Sequence, residues 1–372
     1  MNQTSDVVIY GGGMAGAILA KRLSADIKVT LVDPRDYFEV PMAVPRNLLE
    51  PSFADVSTIP FERALPNVQM VQGKLVEWTR QGGIIDCGNG VRKKLKGKVN
   101  VLATGSRFAN SMMRPDSGTR EERQSFYQQN AHQIANAKRV VIVGGGPIGV
   151  EMAGEISSHF PETQITLIES GSRILRGTSA SASLHATRLL KKRGIQILTD
   201  DKLLNVSPKD SENSLEPKEL VTAKGVQLSF DLLLWCTGAK PNTDYMQPYF
   251  SNALDLHQRI CVTTALRVVG EQMLFAVGDI NNVNENKMAW HVAGQVECAE
   301  KNIRRVLAGQ VDDSLLTQYK PKTGNQAMAV TFGPDQGMVN LPPLGLITAG
   351  WLNRRIKSSH MLVPKYRKIL GV

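Results

Sequence analysis

The stretch that decides the fold is residues 7–33, VVIYGGGMAGAILAKRLSADIKVTLVD. It opens with a short apolar, β-branched run, which is typical of a buried parallel strand. Gly11, Gly13 and Gly16 then fit the GxGxxG pattern, and a second apolar run ends at Asp33. In such a unit the glycines allow a tight turn, the approach of a pyrophosphate and close helix packing, while the acid accepts hydrogen bonds from ribose hydroxyls. The stretch therefore predicts a dinucleotide-binding βαβ unit.

The same unit returns at residues 140–169, VVIVGGGPIGVEMAGEISSHFPETQITLIE. Gly144, Gly146 and Gly149 repeat the glycine pattern, and Glu169 ends the second apolar run. A lone GxGxxG is weak evidence, but here a strand, a helix and an acid stand at the required places twice. The repeat predicts two dinucleotide sites in one α/β protein, each with phosphates at a helix N-terminus.

Composition limits the classes of protein that the chain can belong to. It has 372 residues, of which 44 are Lys or Arg and 34 are Asp or Glu, so its net charge is +10. The length suggests two or three domains, and the ordinary apolar and charged content excludes a disordered tail, a collagen or a coiled coil. No apolar run reaches the ~20 residues of a membrane-spanning helix, and no secretory signal is visible. We therefore expect a cytoplasmic protein.

The four cysteines (Cys87, Cys236, Cys261 and Cys298) are far apart in the sequence and form no CxxC pair. This spacing predicts four buried, reduced thiols and excludes a redox disulfide between neighbouring cysteines. The histidines lack acidic and cysteine partners at metal-ligand spacing, so no metal site is predicted.

Three further apolar runs end in glycine turns. VLATGS at residues 101–106 contains Thr104 and Gly105, LLLWCTG at 232–238 ends at Gly238, and LFAVGDI at 274–280 contains Asp279. Each run alone is an ordinary strand-to-turn junction. Their order relative to the two glycine loops is the informative feature.

In that order, roughly residues 5–310 resemble the two-dinucleotide flavoprotein family, which has the fold of glutathione reductase and type II NADH dehydrogenase. The phrases DPRDYF (33–38), KMAWHVAGQ (287–295) and KSSHMLV (357–363) are most similar to its apoptosis-inducing factor 2 (ferroptosis suppressor) and type II NADH dehydrogenase-like subgroup. The resemblance implies an α/β fold with two Rossmann-like domains. An FAD domain at 1–112 and 239–318 is split by an NAD(P)H domain at 113–238, and a short basic region follows at 319–372. Residues 111–125 and 210–218 are expected to form a crossover and a hairpin loop.

The resemblance also implies which residues bind the cofactors and act in catalysis. The FAD set is Gly11, Gly13, Gly16, Asp33, Thr104, Gly105 and Asp279, together with Met288 and Ala289, whose backbone N–H groups would begin a helix aimed at the flavin. Arg46 and Gly238 are further cofactor-binding candidates. The nicotinamide nucleotide set is Gly144, Gly146, Gly149 and Glu169, and the catalytic candidates are Glu151 and Lys357.

Several candidates have a competing interpretation. Glu151 lies either near the nicotinamide and flavin or at the surface, as a first-turn acid favoured by the helix dipole. Arg46 is either a cofactor neighbour or a surface arginine. Trp290 either packs against the flavin or is a core aromatic. His291 is better interpreted as a packing histidine than as a proton donor.

The expected reaction follows from the resemblance and from the missing dithiol. Without neighbouring cysteines, electrons must pass directly from the reduced flavin to a docked substrate or a protein partner. We expect hydride transfer from NAD(P)H to FAD and then reduction of a quinone-like acceptor. Two other functions stay open: a reductase of a small electron-carrier protein, and a redox-switched signalling or nucleic-acid-binding flavoprotein. Glu169 favours NADH because its carboxylate repels a 2′-phosphate, whereas Arg173 and Arg176 soften that preference toward NADPH.

Two basic stretches remain. Residues 341–372 carry six Lys and Arg side chains and no acid, mixed with Trp351 and aliphatic residues. This mixture suits an anionic membrane surface, and the alternative is a packed helix or hairpin with a solvated basic face. The run RKKLKGK at residues 92–98 is expected to be a solvated hairpin tip. The alternative for this run is a nucleic-acid-binding patch, which is less favoured because no nucleic-acid-binding motif is present. The oligomeric state is not predicted.

Overall fold

A computed structural model describes residues 5–108, 118–204, 218–323, 327–341 and 344–372. Most of the expected hairpin loop at 210–218 and the first part of the expected crossover at 111–125 lie outside the described residues. In the described part the strands, in chain order, are β1 (Val7–Tyr10), β2 (Val29–Asp33), β3 (Tyr37–Glu39), β4 (Thr58–Pro60), β5 (Val68–Gln72), β6 (Lys74–Thr79), β7 (Gly82–Asp86), β8 (Arg92–Leu95), β9 (Val99–Leu102), β10 (Ser106–Arg107), β11 (Arg139–Val143), β12 (Gln164–Ile168), β13 (Gln196–Leu198), β14 (Lys218–Val221), β15 (Gln227–Phe230), β16 (Leu232–Trp235), β17 (Lys240–Pro241), β18 (Leu274–Ala276), β19 (Met328–Thr331), β20 (Gly337–Leu341) and β21 (Gly345–Ile347).

The helices of the same residues are α1 (Met14–Leu23), α2 (Val44–Asn47), α3 (Ala54–Ser57), α4 (Phe61–Ala64), α5 (Arg120–Asn136), α6 (Pro147–His159), α7 (Ala180–Lys192), α8 (Gln247–Phe250), α9 (Ala289–Leu307), α10 (Gly350–Asn353) and α11 (Val363–Leu370). A π-helical turn, Arg354–Ser358, follows α10 directly.

Two parallel sheets carry the fold. The first has the strand order β18-β9-β1-β2-β5 and the second has the order β13-β12-β11-β16. Each repeated sequence unit supplies an inner strand, a helix and the adjacent parallel strand, β1-α1-β2 in one sheet and β11-α6-β12 in the other. The predicted α/β fold with two Rossmann-like units is therefore confirmed. The first sheet draws its strands from both sides of the second in the sequence, and the exact domain boundaries stay a prediction.

Close packing of helix on strand explains why both units need a third glycine. A Cβ atom on Gly16 would lie 1.8 Å from the carbonyl oxygen of Gly11, and one on Gly149 would lie 1.9 Å from that of Gly144. Gly11 and Gly144 themselves have φ of +109° and +110°, a left-handed backbone that side chains disfavour. Each turn therefore brings the N-terminus of its helix close to the end of its strand.

The C-terminal region is a small folded unit. Strands β19, β20 and β21 form an antiparallel sheet, and α10, the π-helical turn and α11 follow it. On α11 the side chains of Val363, Tyr366 and Leu370 are buried. The packed-helix interpretation therefore holds for α11, whereas Trp351 on α10 is 72% exposed.

The basic run at residues 92–98 is mostly a strand, which corrects the expectation of a hairpin tip. Strand β8 lies at the edge of the antiparallel sheet β6-β7-β8, and its residues Arg92, Lys93 and Lys94 are exposed. Charged side chains on an edge strand disfavour pairing with a second sheet. This placement gives the run a structural role.

The cysteines and the helices bear on two further expectations. Cys236 and Cys298 are buried as expected, but Cys87 and Cys261 are only partly buried. Burial raises the pKa of the Cys236 thiol to about 12, which keeps it protonated and unreactive. Among the described helices, none is both long enough and apolar enough to cross a bilayer.

Candidate dinucleotide and redox site

The larger cavity described here lies at the carboxyl end of the first sheet and has a volume of about 350 Å³. Its walls come from the first glycine loop, the ends of β2, β9 and β18, and the segment 242–245. They include six of the predicted FAD residues, namely Gly11, Gly13, Asp33, Thr104, Gly105 and Asp279. Ligands of open parallel sheets bind at this end of the strands.

Asp33 lies at the centre of a dense hydrogen-bond cluster. Its Oδ2 accepts from the backbone N–H of Gly12 at 2.6 Å, and its carboxylate is bridged by the Nε and Nη2 of Arg35 at 2.9 and 3.2 Å. Arg35 lines the cavity as well. Asp33 at the end of β2 therefore connects the first glycine turn to Arg35. Its carboxylate lies at the cavity wall, where it would hold a ribose.

Two helix N-termini meet at this cavity. Gly13 and Met14 at the start of α1 line it, and so does Val292 in the first turn of α9. The first N–H groups of a helix have no intrahelical acceptor and carry partial positive charge, so both ends favour anionic groups. The Asp279 carboxylate accepts from Ser106 Oγ at 2.8 Å. Glycine backbone, helix ends and carboxylates together fit a dinucleotide such as FAD.

A smaller cavity of about 60 Å³ adjoins the first, sharing Gly13 and Arg35 with it. Its remaining walls are Glu39, Phe108, Ile148 and a proline-rich stretch with Pro41, Val44 and Pro45. Ile148 belongs to the first turn of α6, directly after the second glycine loop. One residue of each glycine motif, Gly13 and Ile148, therefore lines this small and largely apolar space.

The second loop repeats the geometry of the first. Glu169 accepts from the backbone N–H of Gly145 at 2.8 Å and from that of Gly171 at 2.7 Å. A Cβ atom on Gly146 would meet no heavy atom within 4 Å, so the space beside this glycine is open to a ligand. The predicted nicotinamide nucleotide residues are thus brought together at one loop.

The two catalytic candidates form a buried ion pair, although 206 positions separate them in the chain. Lys357 Nζ lies 2.5 Å from Glu151 Oε1 and also donates to the carbonyl oxygen of Ala329 at 3.0 Å. The N–H of Thr331 donates to the same carboxylate oxygen at 3.1 Å. Glu151 lies one helical turn beyond Ile148 on α6, and Ile148 is the residue of this helix that lines the smaller cavity. The solvated-acid interpretation of Glu151 does not hold, since the residue is only 4% exposed.

Arg46 is not at the surface, which corrects one of its two interpretations. Its Nε and Nη2 both donate to the Glu155 carboxylate at 2.8 Å, and Nη2 also donates to the carbonyl oxygen of Ser358 at 3.0 Å. The residue does not line either cavity. That Arg46 contacts a cofactor stays a prediction. The contacts that the structure shows join Arg46 to Glu155 and Ser358 instead.

The remaining candidates are Met288, Ala289, Gly238, Trp290 and His291. Met288 caps the N-terminus of α9 and Ala289 begins the helix, close to Val292 of the larger cavity. Gly238 lies in an open turn that does not line that cavity. Trp290 is 56% exposed, so the core interpretation does not fit it, and contact with the flavin stays a prediction. His291 is buried with Nδ1 3.4 Å from Glu285, as expected of a packing histidine.

Sequence reasoning missed two residues that the site uses. Arg35 lies within the quoted DPRDYF phrase, two residues after Asp33. A cation at this spacing is a signal that the negative charge of the Asp33 carboxylate is balanced by an arginine. Glu155 lies one turn after Glu151 on α6, but its partner Arg46 is 109 positions away. No local pattern indicates that second contact.

The fold, the two glycine loops and the larger cavity define a class of protein, namely enzymes that bind two dinucleotides and pass electrons between them. The chain belongs to the pyridine nucleotide-disulphide oxidoreductase family, whose model matches residues 5–296. This membership confirms the resemblance inferred from the sequence and places the chain among flavoprotein oxidoreductases that use a nicotinamide nucleotide.

Individual proteins agree with this assignment. The chain is 30% identical to ferroptosis suppressor protein 1 of Xenopus tropicalis over 98% of its length and 96% of the relative. It is 26% identical to apoptosis-inducing factor homolog B of Dictyostelium discoideum over 97% and 95%. Among solved structures, NDH2 from Plasmodium falciparum in complex with NADH superposes with a TM-score of 0.68 at 15% identity, covering 99% of this chain and 95% of that one. At this identity the last comparison shows the fold alone.

Proposed function

We propose that the chain is an FAD-dependent NAD(P)H oxidoreductase that reduces a quinone-like acceptor. The observation that carries the proposal is the smaller cavity, because Gly13 of one dinucleotide loop and Ile148 of the other line the same space. The first glycine loop and Asp33 would hold FAD, which would supply the hydride-accepting flavin, and the second glycine loop would hold the nicotinamide nucleotide that donates the hydride. The side chains of Val44, Phe108 and Ile148 give this space apolar walls that suit contact with the edge of an aromatic ring.

The ion pair of Glu151, one helical turn beyond Ile148, with Lys357 has a role in that reaction. Lys357 Nζ lies against Glu151 and also donates to the carbonyl oxygen of Ala329, so its position is fixed in a buried setting. A cation fixed there stabilises negative charge that develops on a neighbouring ring system. Glu151 in turn orients the lysine through its contact with the backbone N–H of Thr331.

Anaerobic mixing of the FAD-loaded protein with NADH or NADPH tests the proposal. We expect the flavin absorbance to bleach on mixing and to return when a short-chain quinone is added. Glu151→Gln and Lys357→Met should each slow bleaching by about 100-fold and leave the FAD content unchanged. The matched control is Lys365→Met, which removes an exposed lysine from the same region. Flavin that stays oxidised with both nucleotides would contradict the proposal.

We further propose that NADH is preferred over NADPH and that part of the C-terminal region contacts a membrane. Glu169 supports the nucleotide preference through its carboxylate. Leu344 and Trp351, which are 78% and 72% exposed, and the neighbouring cations Arg354 and Arg355 support membrane contact. A surface of this composition binds anionic lipid headgroups and would bring the site close to an apolar quinone.

A further inference from the structure

One guanidinium joins three separate parts of the chain around the buried ion pair. Arg46 lies on α2 of the first dinucleotide unit, Glu155 lies on α6 of the second, and Ser358 ends the π-helical turn of the C-terminal region. The side chain of Arg46 is 3% exposed and that of Glu155 is 0% exposed, so these contacts are sealed from solvent.

Both partners of Arg46 are neighbours of the catalytic candidates. Glu155 follows Glu151 by one turn on the same face of α6, and Ser358 is the residue after Lys357. A shift of α6 or of the π-helical turn would therefore change the distance between Glu151 and Lys357, and the guanidinium restrains both elements at once.

The chemistry of the contact requires an arginine. Two parallel N–H donors meet the two oxygens of Glu155 at 2.8 Å each, and one of the same nitrogens reaches the Ser358 carbonyl. A lysine offers one point charge and cannot bridge a carboxylate in this way. Burial raises the pKa of Glu155, and the guanidinium opposes that shift and helps to keep the carboxylate ionised.

We propose that Arg46 is a positioning residue that sets the geometry of the Glu151–Lys357 pair by holding α6 and the π-helical turn together. The proposal rests on the proposed function for its catalytic consequence. The structural part, that Arg46 fixes the π-helical turn, is independent of it.

The test compares Arg46→Lys with the matched control Arg267→Lys. Arg267 is another buried arginine with one carboxylate partner, Asp313, and a carbonyl partner, Val311, but its backbone pairs with β18 of the first sheet. We expect Arg46→Lys to bind FAD stoichiometrically and to be reduced by NADH about 10- to 100-fold more slowly, because a displacement of about 1 Å in a catalytic group has an effect of this size. Arg267→Lys should be reduced at the wild-type rate. A control that slows equally would overturn the proposal.

A double-mutant cycle separates positioning from general structural support. If Arg46 acts through the ion pair, then adding Arg46→Lys to Glu151→Gln should slow flavin reduction no further. An equal additional loss in that background would show that Arg46 supports the fold only, and would overturn the proposal. Should Arg46→Lys fail to fold, Glu155→Gln removes the same contact from the other side and replaces it in the cycle.

Hydrogen exchange gives a readout that does not depend on turnover. We expect backbone amides of residues 354–361 to exchange at least tenfold faster in Arg46→Lys than in the wild type, while those of α9 stay unchanged. Unchanged exchange at 354–361 would overturn the proposal even if activity fell. If the wild-type flavin is not reduced by either nucleotide, the proposed function fails, and the exchange data still decide whether Arg46 holds the turn.

Discussion

The charge around Glu169 depends on one exposed arginine. The Nη2 of Arg176 lies 3.2 Å from the Glu169 carboxylate, and its side chain is 61% exposed. The guanidinium of Arg173 is engaged with the carbonyl oxygens of Arg176, Thr178 and Ser179. Of the two arginines that the sequence singles out, Arg176 is thus the more exposed one, with Glu169 as its ion-pair partner, and is the better placed to meet a nucleotide phosphate.

We expect Arg176→Gln to sharpen the preference for NADH. Its kcat/KM for NADPH should fall about tenfold, because a charge-assisted hydrogen bond to the 2′-phosphate is lost, and its value for NADH should stay within twofold of the wild type. Arg188→Gln is the control, since it removes the same charge from an exposed position on α7. Equal losses for both nucleotides would show that Arg176 does not discriminate between them.

At the scale of the loop, Gly149 and Gly146 have different surroundings, so substitutions at the two positions should have different effects, the first on folding and the second on nucleotide binding. A side chain on Gly149 collides with the backbone of Gly144, whereas a side chain on Gly146 meets only open space. The first position is thus restricted by the protein itself and the second is left free for a ligand.

Gly146→Ala should therefore fold normally and bind nucleotide poorly. We expect an unchanged melting temperature and FAD content, and a Kd for NADH at least tenfold higher, because the added methyl occupies the space where the pyrophosphate approaches. Titration calorimetry of the FAD-loaded protein measures this constant. Gly350→Ala, which makes only an ordinary contact at 3.8 Å, is the matched control. A wild-type Kd in Gly146→Ala would mean that the nucleotide binds elsewhere.

Local patterns account for what the sequence could predict at this scale. The glycine loops and their acids form from residues within about 30 positions of each other, so alternation, turns and spacing are enough to identify them. The ion pairs Glu151–Lys357 and Arg46–Glu155 depend on the way distant segments meet, and no periodicity encodes that meeting. Resemblance placed Glu151 and Lys357 near the flavin, but their direct contact, and the true partners of Arg46, required the structure.

For the whole molecule, packing changes the interpretation of the basic C-terminal region. Lys357 is buried against Glu151, and α11 turns its apolar side chains into the core. The exposed apolar surface of this region is thereby reduced to a few side chains, chiefly Leu344 and Trp351. Any membrane contact must therefore be shallow.

Flotation with vesicles checks this expectation. Wild-type protein should float with vesicles that contain anionic lipid and far less with neutral ones, since each Lys or Arg near such a surface contributes about 1 kcal/mol. Trp351→Ser should reduce the bound fraction several-fold. Tyr249→Ser, which removes an aromatic side chain that is 65% exposed elsewhere, should not. Recovery that is the same with both lipids, or unaffected by Trp351→Ser, would rule out this surface.

The π-helical turn Arg354–Ser358 makes the length of the C-terminal segment as important as its composition. The N–H of Ser359 donates to the carbonyl oxygen of Arg354, five residues back, at 3.2 Å. Deleting one residue here would let the turn rewind with α-helical pitch, and each residue of an α-helix rotates the side chains by about 100°. A deletion before Lys357 would therefore rotate its side chain relative to α10 and change its distance from Glu151, although every motif residue was still present. We expect a homologue with one residue fewer before Lys357 to keep both glycine motifs and to have an altered Glu151–Lys357 contact.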